Sequence, residues 1–186
     1  MMVLVISLAL LLVGLLLIWF GTYNSLIKYR NWVDESWSQI DVQLKRRYEL
    51  IPNLIETVKG YASHERETLE AVIHSRNQLV NNMNISREET IAQNDMLSGA
   101  LKNIFALAES YPTLQASENF VMLQEELAST ENKIAYARQL YNNTVMKYNT
   151  KIQTVPNNII AGIHSFGPRP LLEISEAEHE PVKVSF

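Results

Sequence analysis

Four histidines, twenty acidic residues and no cysteine set the chemistry open to this 186-residue chain. Metal sites in helical bundles commonly draw a Glu-x-x-His from each of two helices, with further glutamates beside them. One such spacing occurs, Glu176 to His179, in a stretch without helical periodicity. Glu70 and His74 share a helical face at i,i+4, and Glu67 lies one turn before them, so these three could supply part of a ligand set. No second set matches them, and an exposed charged face explains them better. No metal or other cofactor is expected. Nucleophilic catalysis needs a hydroxyl or thiol beside a base and an oxyanion site. The histidines are scattered at 64, 74, 164 and 179, and no serine sits in a G-x-S-x-G elbow. Gly162 to Gly167 holds only two glycines, too few for a phosphate-cradling loop. An enzyme is not expected.

Charge narrows the partners. Sixteen basic against twenty acidic side chains give a net charge of -4, the wrong sign for a protein that grips nucleic acid through its phosphates. Lys45-Arg46-Arg47 is the densest basic cluster, and three consecutive helical residues point three ways. A solvated face with local ion pairs is the expected reading, with anionic lipid headgroups as the alternative. Asn132, Asn142 and Asn149 ride a segment that helix propensity would fill with better formers. An amide in a helical seam can bond across to a neighbour and fix register, so these three are expected to make cross-helix polar contacts.

The elements that must position these residues begin with a membrane anchor. From Val3 to Phe20 there is no charge, and at 1.5 Å per residue the run spans roughly 27 Å, about the thickness of a bilayer's hydrocarbon core. Trp19 and Tyr23 stand where interfacial aromatics belong. A cleaved signal peptide would need a basic leader and small residues before the cut; no Lys or Arg precedes Lys28. Residues 1–22 are therefore read as a retained transmembrane anchor. Lys28 and Arg30 follow it closely, and the positive-inside rule then puts the body on the cytoplasmic side of the membrane.

Beyond the anchor, apolar spacing predicts an all-α bundle over residues 23–156, built from three long helices. The first runs from about Asn24 to Asn81, with Trp37, Ile40, Leu44, Tyr48, Ile51, Ile55, Val58 and Ala62 on one stripe. Pro52 and Gly60 are its weak points, where a kink or a split would give four helices. Ser86 and Glu89 have the spacing of a capping box, which starts the second helix near Arg87. Leu97, Leu101, Ile104, Phe105 and Ala108 form its stripe, and Tyr111-Pro112 ends it. The third carries the most regular seam: Phe120, Leu123, Leu127, Thr130, Ile134, Ala137, Tyr141, Val145, Tyr148 and Ile152, closed by Pro156. Residues 157–186 break the periodicity and are read as an irregular docked tail, with Val182 and Val184 suited to a short hairpin strand.

These lengths leave one region open to two readings. The second and third helices need not cover the whole of a continuous first helix, so Trp32, Val33, Trp37 and Ile40 would present apolar area near the membrane as an interaction surface. If the chain instead folds back at Pro52 or Gly60, the same residues enter an ordinary four-helix core.

The stretch YNSLIKYRNWVDESWSQIDVQLKRRYELIPNLIETVKGYASHE, from Tyr23 to Glu65, resembles the LemA family of membrane-anchored bacterial helical proteins. So do AESYPTLQASENFVMLQEELASTENKIAYARQLYNNTVMKYN and the ending PVKVSF. The resemblance implies a mainly antiparallel helical bundle behind one N-terminal transmembrane helix, in the bacterial cytoplasmic membrane. It carries no catalytic motif onto these residues. The expected protein is thus a single-pass structural or adaptor molecule that touches the lipid bilayer and associates with itself or with other membrane proteins. A metal-binding bundle and a sensor of anionic lipid are the competing readings.

Overall fold

Few glycines and prolines and long apolar stripes give a chain that is helical almost throughout. A computed structural model describes residues 1–81 and 85–173. In chain order the helices are α1 (Met2–Tyr61), α2 (Arg66–Asn81), α3 (Arg87–Ala108), α4 (Pro112–Gln115), α5 (Glu118–Gln153) and α6 (Asn157–Ile163). Among the described residues there is no strand. Val182, Val184 and the Glu176–His179 pair lie outside them.

The seam on α5 is buried at all ten positions from Phe120 to Ile152. Its alternating steps of three and four keep one narrow stripe facing inward, as the sequence requires. On α1 a run of the buried positions, Ile40, Leu44, Arg47, Ile51, Leu54 and Val58, again steps by four and three. One member of that register is an arginine.

Two compact units divide the chain. The first comprises residues 1–38 and 139–171; the second comprises residues 39–138 and those from 172 onward. The second unit has the larger apolar core. Ile51, Leu54, Ile55 and Val58 of α1 pack with Leu69, Val72 and Leu79 of α2, Leu97, Leu101 and Ile104 of α3, Leu114 of α4, and Phe120, Leu123 and Leu127 of α5. Ser86 caps α3 as its spacing demands, its Oγ accepting from the Glu89 N–H at 3.1 Å. Glu88 and Glu89 in the first turn add charge of the sign that the helix dipole favours there.

The expected first helix, Asn24 to Asn81, is divided, and the division is not at the proline. α1 continues from the apolar run through Pro52 and ends at Tyr61, directly after Gly60; α2 begins at Arg66. Pro52 has no N–H to donate to the Tyr48 carbonyl one turn back, which would leave that acceptor idle. Arg76 of α2 supplies the missing donor, its Nε standing 3.1 Å from the Tyr48 oxygen. The helix is thus repaired from outside. Pro112 also acts otherwise than as a simple stop: it opens α4, where a first helical residue needs no N–H. The stretch expected to be irregular contains a seven-residue helix, α6.

Arg76→Met should lower the stability of the detergent-solubilised full chain by about 1–2 kcal/mol, since a partly buried carbonyl loses its donor. In a Pro52→Ala background the backbone N–H returns, and the same substitution should cost much less. Thermal unfolding of the four proteins in this cycle checks it; equal losses in both backgrounds would show that Arg76 acts some other way.

Candidate functional site

In the second unit the polar residues on the core registers meet in one layer. Arg47, only 3% exposed, forms an ion pair with Glu131, its Nη1 2.7 Å from Oε2, and donates from Nη1 to Asn94 Oδ1 at 3.0 Å. Glu131 also accepts from Ser98 Oγ at 3.1 Å. Next to Asn94 on α3, Asp95 takes Nη1 of Arg138 at 2.9 Å, while Nη2 of that arginine reaches the Glu173 carbonyl at 2.6 Å. Burial lowers the Arg47 pKa from its ordinary value, and the Glu131 carboxylate opposes that shift. A guanidinium holds its proton so strongly that it stays charged here. The contacts of the layer are charge pairs and hydrogen bonds between helices.

In the sequence Arg47 stands out only as part of a basic triplet, and Asn94 not at all. Their signal was positional: Arg47 falls on the Ile40–Val58 register, and Asn94 lies one turn before Leu97 on the α3 stripe. The basic triplet does spread three ways, with Lys45 exposed, Arg46 paired to Glu126 at 2.7 Å and Arg47 buried. It offers no continuous patch to lipid headgroups.

The three candidate metal ligands of α2 lie at the surface. Glu67, Glu70 and His74 are exposed on α2, and among the described residues no three carboxylates or imidazoles are grouped to hold an ion. Asn132 is exposed and Asn142 half-buried on α5. Asn149 bonds to the tail rather than to a facing helix: its Nδ2 donates to the Arg169 carbonyl at 2.7 Å, and its Oδ1 accepts from the Arg169 N–H at 2.9 Å. Extended backbone after α6 offers both groups, which a helix wall would not.

In the first unit, the proposed interaction stripe is largely covered. Val33 and Ile40 are fully buried, Ile40 in the second unit, because they sit on the inward register of α1. Trp37 is half-buried, its ring edge-on to Tyr141 at 5.9 Å. Trp32 alone of the four is exposed, at 41%. It belongs to a different surface from the one expected. Lys28 Nζ lies 4.8 Å over its ring and Tyr29 packs against it at 5.1 Å. Lys151 Nζ stands 5.9 Å over Tyr29. Beside Tyr29 runs an open groove of ≈ 670 Å³, lined further by Asn143, Met146, Lys147, Thr150 and Thr154 of α5 and the turn after it. The first unit holds five basic residues (Lys28, Arg30, Lys147, Lys151, Arg169) against two acidic ones (Asp34, Glu35), although the whole chain is acidic.

The tail closes the same unit. The His164 ring packs 4.6 Å from Tyr23 and 5.8 Å from Trp19, and Phe166 lies 5.9 Å from Tyr23. Arg30 stacks over Phe166 at 5.2 Å, and the Tyr148 hydroxyl donates to the Gly167 carbonyl at 3.0 Å.

For the polar layer, Glu131→Ala should destabilise by about 2 kcal/mol, because it strands a buried guanidinium. Arg47→Met should cost less, since Glu131 is half-exposed and can return to water. Unfolding midpoints of the two variants check the order; a larger loss for Arg47→Met would mean that the buried charge is itself net stabilising.

Comparison with known proteins agrees with this architecture. Over 171 residues the chain is 27% identical to Protein LemA of Metamycoplasma hominis, a match that covers 90% of this chain and 76% of the relative. It is 22% identical over 184 residues to Magnetosome protein MamQ 2 of Paramagnetospirillum magneticum, covering 86% of this chain and 68% of that one. Magnetosome protein MamQ of Magnetospirillum gryphiswaldense is 23% identical over 168 residues, covering 77% and 62%. The LemA family model matches residues 36–186, which takes in most of α1 beyond the apolar run and everything after it, and the chain belongs to the LemA family.

Proposed function

We propose that this LemA-family protein is a single-pass membrane adaptor whose work is contact rather than bond-making, and that it associates laterally with further copies of itself. The observation that carries the reading is a face where Lys28 and Trp32 of α1, a few turns beyond the apolar run, are exposed beside the half-buried Tyr29, with the exposed Met146 of α5 on the groove next to it. Tryptophan and tyrosine are among the residue types that dominate binding energy at protein interfaces, and methionine is enriched there. The helix from Met2 onward is long and apolar enough to cross a membrane, with none of its most apolar window buried inside the chain. Anchoring in the bacterial cytoplasmic membrane holds such faces in one plane, where weak contacts gain from high effective concentration. The excess of basic residues in the first unit favours the cytoplasmic side. Relatives named as magnetosome proteins fit a part in a larger body better than a part in a reaction.

The absence of native cysteine makes the test direct. Trp32→Cys in isolated membranes should give a covalent dimer on oxidation, whereas Lys102→Cys on α3 should give little. Only monomer from Trp32→Cys, with no adduct from an amine crosslinker either, would falsify self-association through this face.

A further inference from the structure

α6 is a helix of seven residues, Asn157-Asn-Ile-Ile-Ala-Gly-Ile163, without a charged side chain. One face is spent on the first unit: Asn157, Ile160 and Ala161 are buried. Its other face is also apolar, yet Ile159 is 57% exposed and Ile163 59%, and Val155 just before the helix is 78% exposed. Ile159 and Ile163 are one turn apart and therefore lie on a common face. A short segment that is apolar on both sides has no reason to meet water with one of them.

Its position says what covers it. His164, the residue directly after α6, packs on Trp19 and Tyr23. Trp19 is in the last turn of the uncharged run, and Tyr23 follows one turn later. The C-terminal end of α6 is therefore level with the point where α1 leaves the apolar stretch, which is where interfacial aromatics sit in a bilayer. The basic excess around it, with Lys28, Arg30, Lys151 and Arg169 in the same unit, complements anionic headgroups.

We infer that α6 is a second membrane contact, with Val155, Ile159 and Ile163 entering the headgroup and acyl boundary of the leaflet from which α1 emerges. The inference rests on the anchor reading of the apolar run. An apolar helical face lying in the interface plane reaches roughly 5–10 Å into that boundary, which side chains on one turn of α6 can do without leaving the bundle. His164 and Phe166 then act as the clasp that keeps α6 against α1, while Asn149 and Tyr148 hold the backbone that follows. The bilayer is thus gripped by two separate parts of the sequence.

Single cysteines at Ile159, Ile163, Leu12 and Lys102, each carrying an environment-sensitive fluorophore, test this in the full chain reconstituted into phosphatidylglycerol and phosphatidylethanolamine vesicles. Labels at Ile159 and Ile163 should show blue-shifted emission, quenching by lipid-borne nitroxide near the headgroups and loss of quenching by aqueous iodide. Leu12 should report deeper nitroxides and Lys102 water. If Leu12 lies in lipid while 159 and 163 behave like Lys102, the second contact is overturned and the anchor stands. If Leu12 is itself open to iodide, the anchor reading falls and the inference goes with it.

Discussion

An uncharged helical run from Val3 to Phe20, none of whose residues the rest of the chain buries, is the constraint on which the rest depends. Fourteen of its eighteen residues are Leu, Ile, Val or Phe, and central positions of a membrane helix gain about 0.3–0.6 kcal/mol each from such side chains, on the order of 4–8 kcal/mol together. Whole domains are stable by only about 5–15 kcal/mol. Where this run resides is therefore decided as firmly as whether the bundle folds. Because α1 passes from the run into helical residues without a loop, the first unit has no tether with which to leave the place the run occupies.

Each unit solves a different problem within that constraint. The second is a conventional core of aliphatic side chains with one buried charged layer set into it. A buried ion pair is weak evidence for stability, and its better-attested use is to fix register. Arg47 and Arg138, approaching the adjacent Asn94 and Asp95 from α1 and α5, fit that use: a one-turn slip would leave a guanidinium in the apolar core. The first unit buries a smaller aliphatic set, Leu26, Val33, Val145, Ile152, Ile160 and Ala161, and adds to it aromatic stacking, cation contacts and a tail strapped down by Tyr148 and Asn149. Those are the interactions suited to a region between water and hydrocarbon, where aromatic rings and long basic side chains keep one end in each.

Periodicity made most of the fold legible. The α5 seam, the Ser86 cap and the apolar run are each set by local physics, and all appear where their spacing puts them. What escaped needed a partner distant in sequence. Pro52 marks a weak point in the sequence because it removes one backbone bond to the preceding turn; Arg76, twenty-eight residues from Tyr48, supplies a donor in its place. Asn149 was read as a helix-to-helix bond because it sits beside the seam, whereas its partner is extended backbone after α6. Trp32 and Val33, adjacent in sequence, part company because they fall on opposite sides of the α1 register, one exposed and the other buried. A stripe drawn from residue type alone merged them. Glu67, Glu70 and His74 show the converse: a shared helical face brings side chains near each other without supplying the second helix that a metal site needs.

The most direct measurement is extraction of the native protein from membranes with alkaline carbonate, followed by intact mass analysis. The account requires that it stay with the pellet, as a chain that still carries Val3 to Phe20. Recovery in the supernatant, or as a form beginning after Phe20, would contradict it.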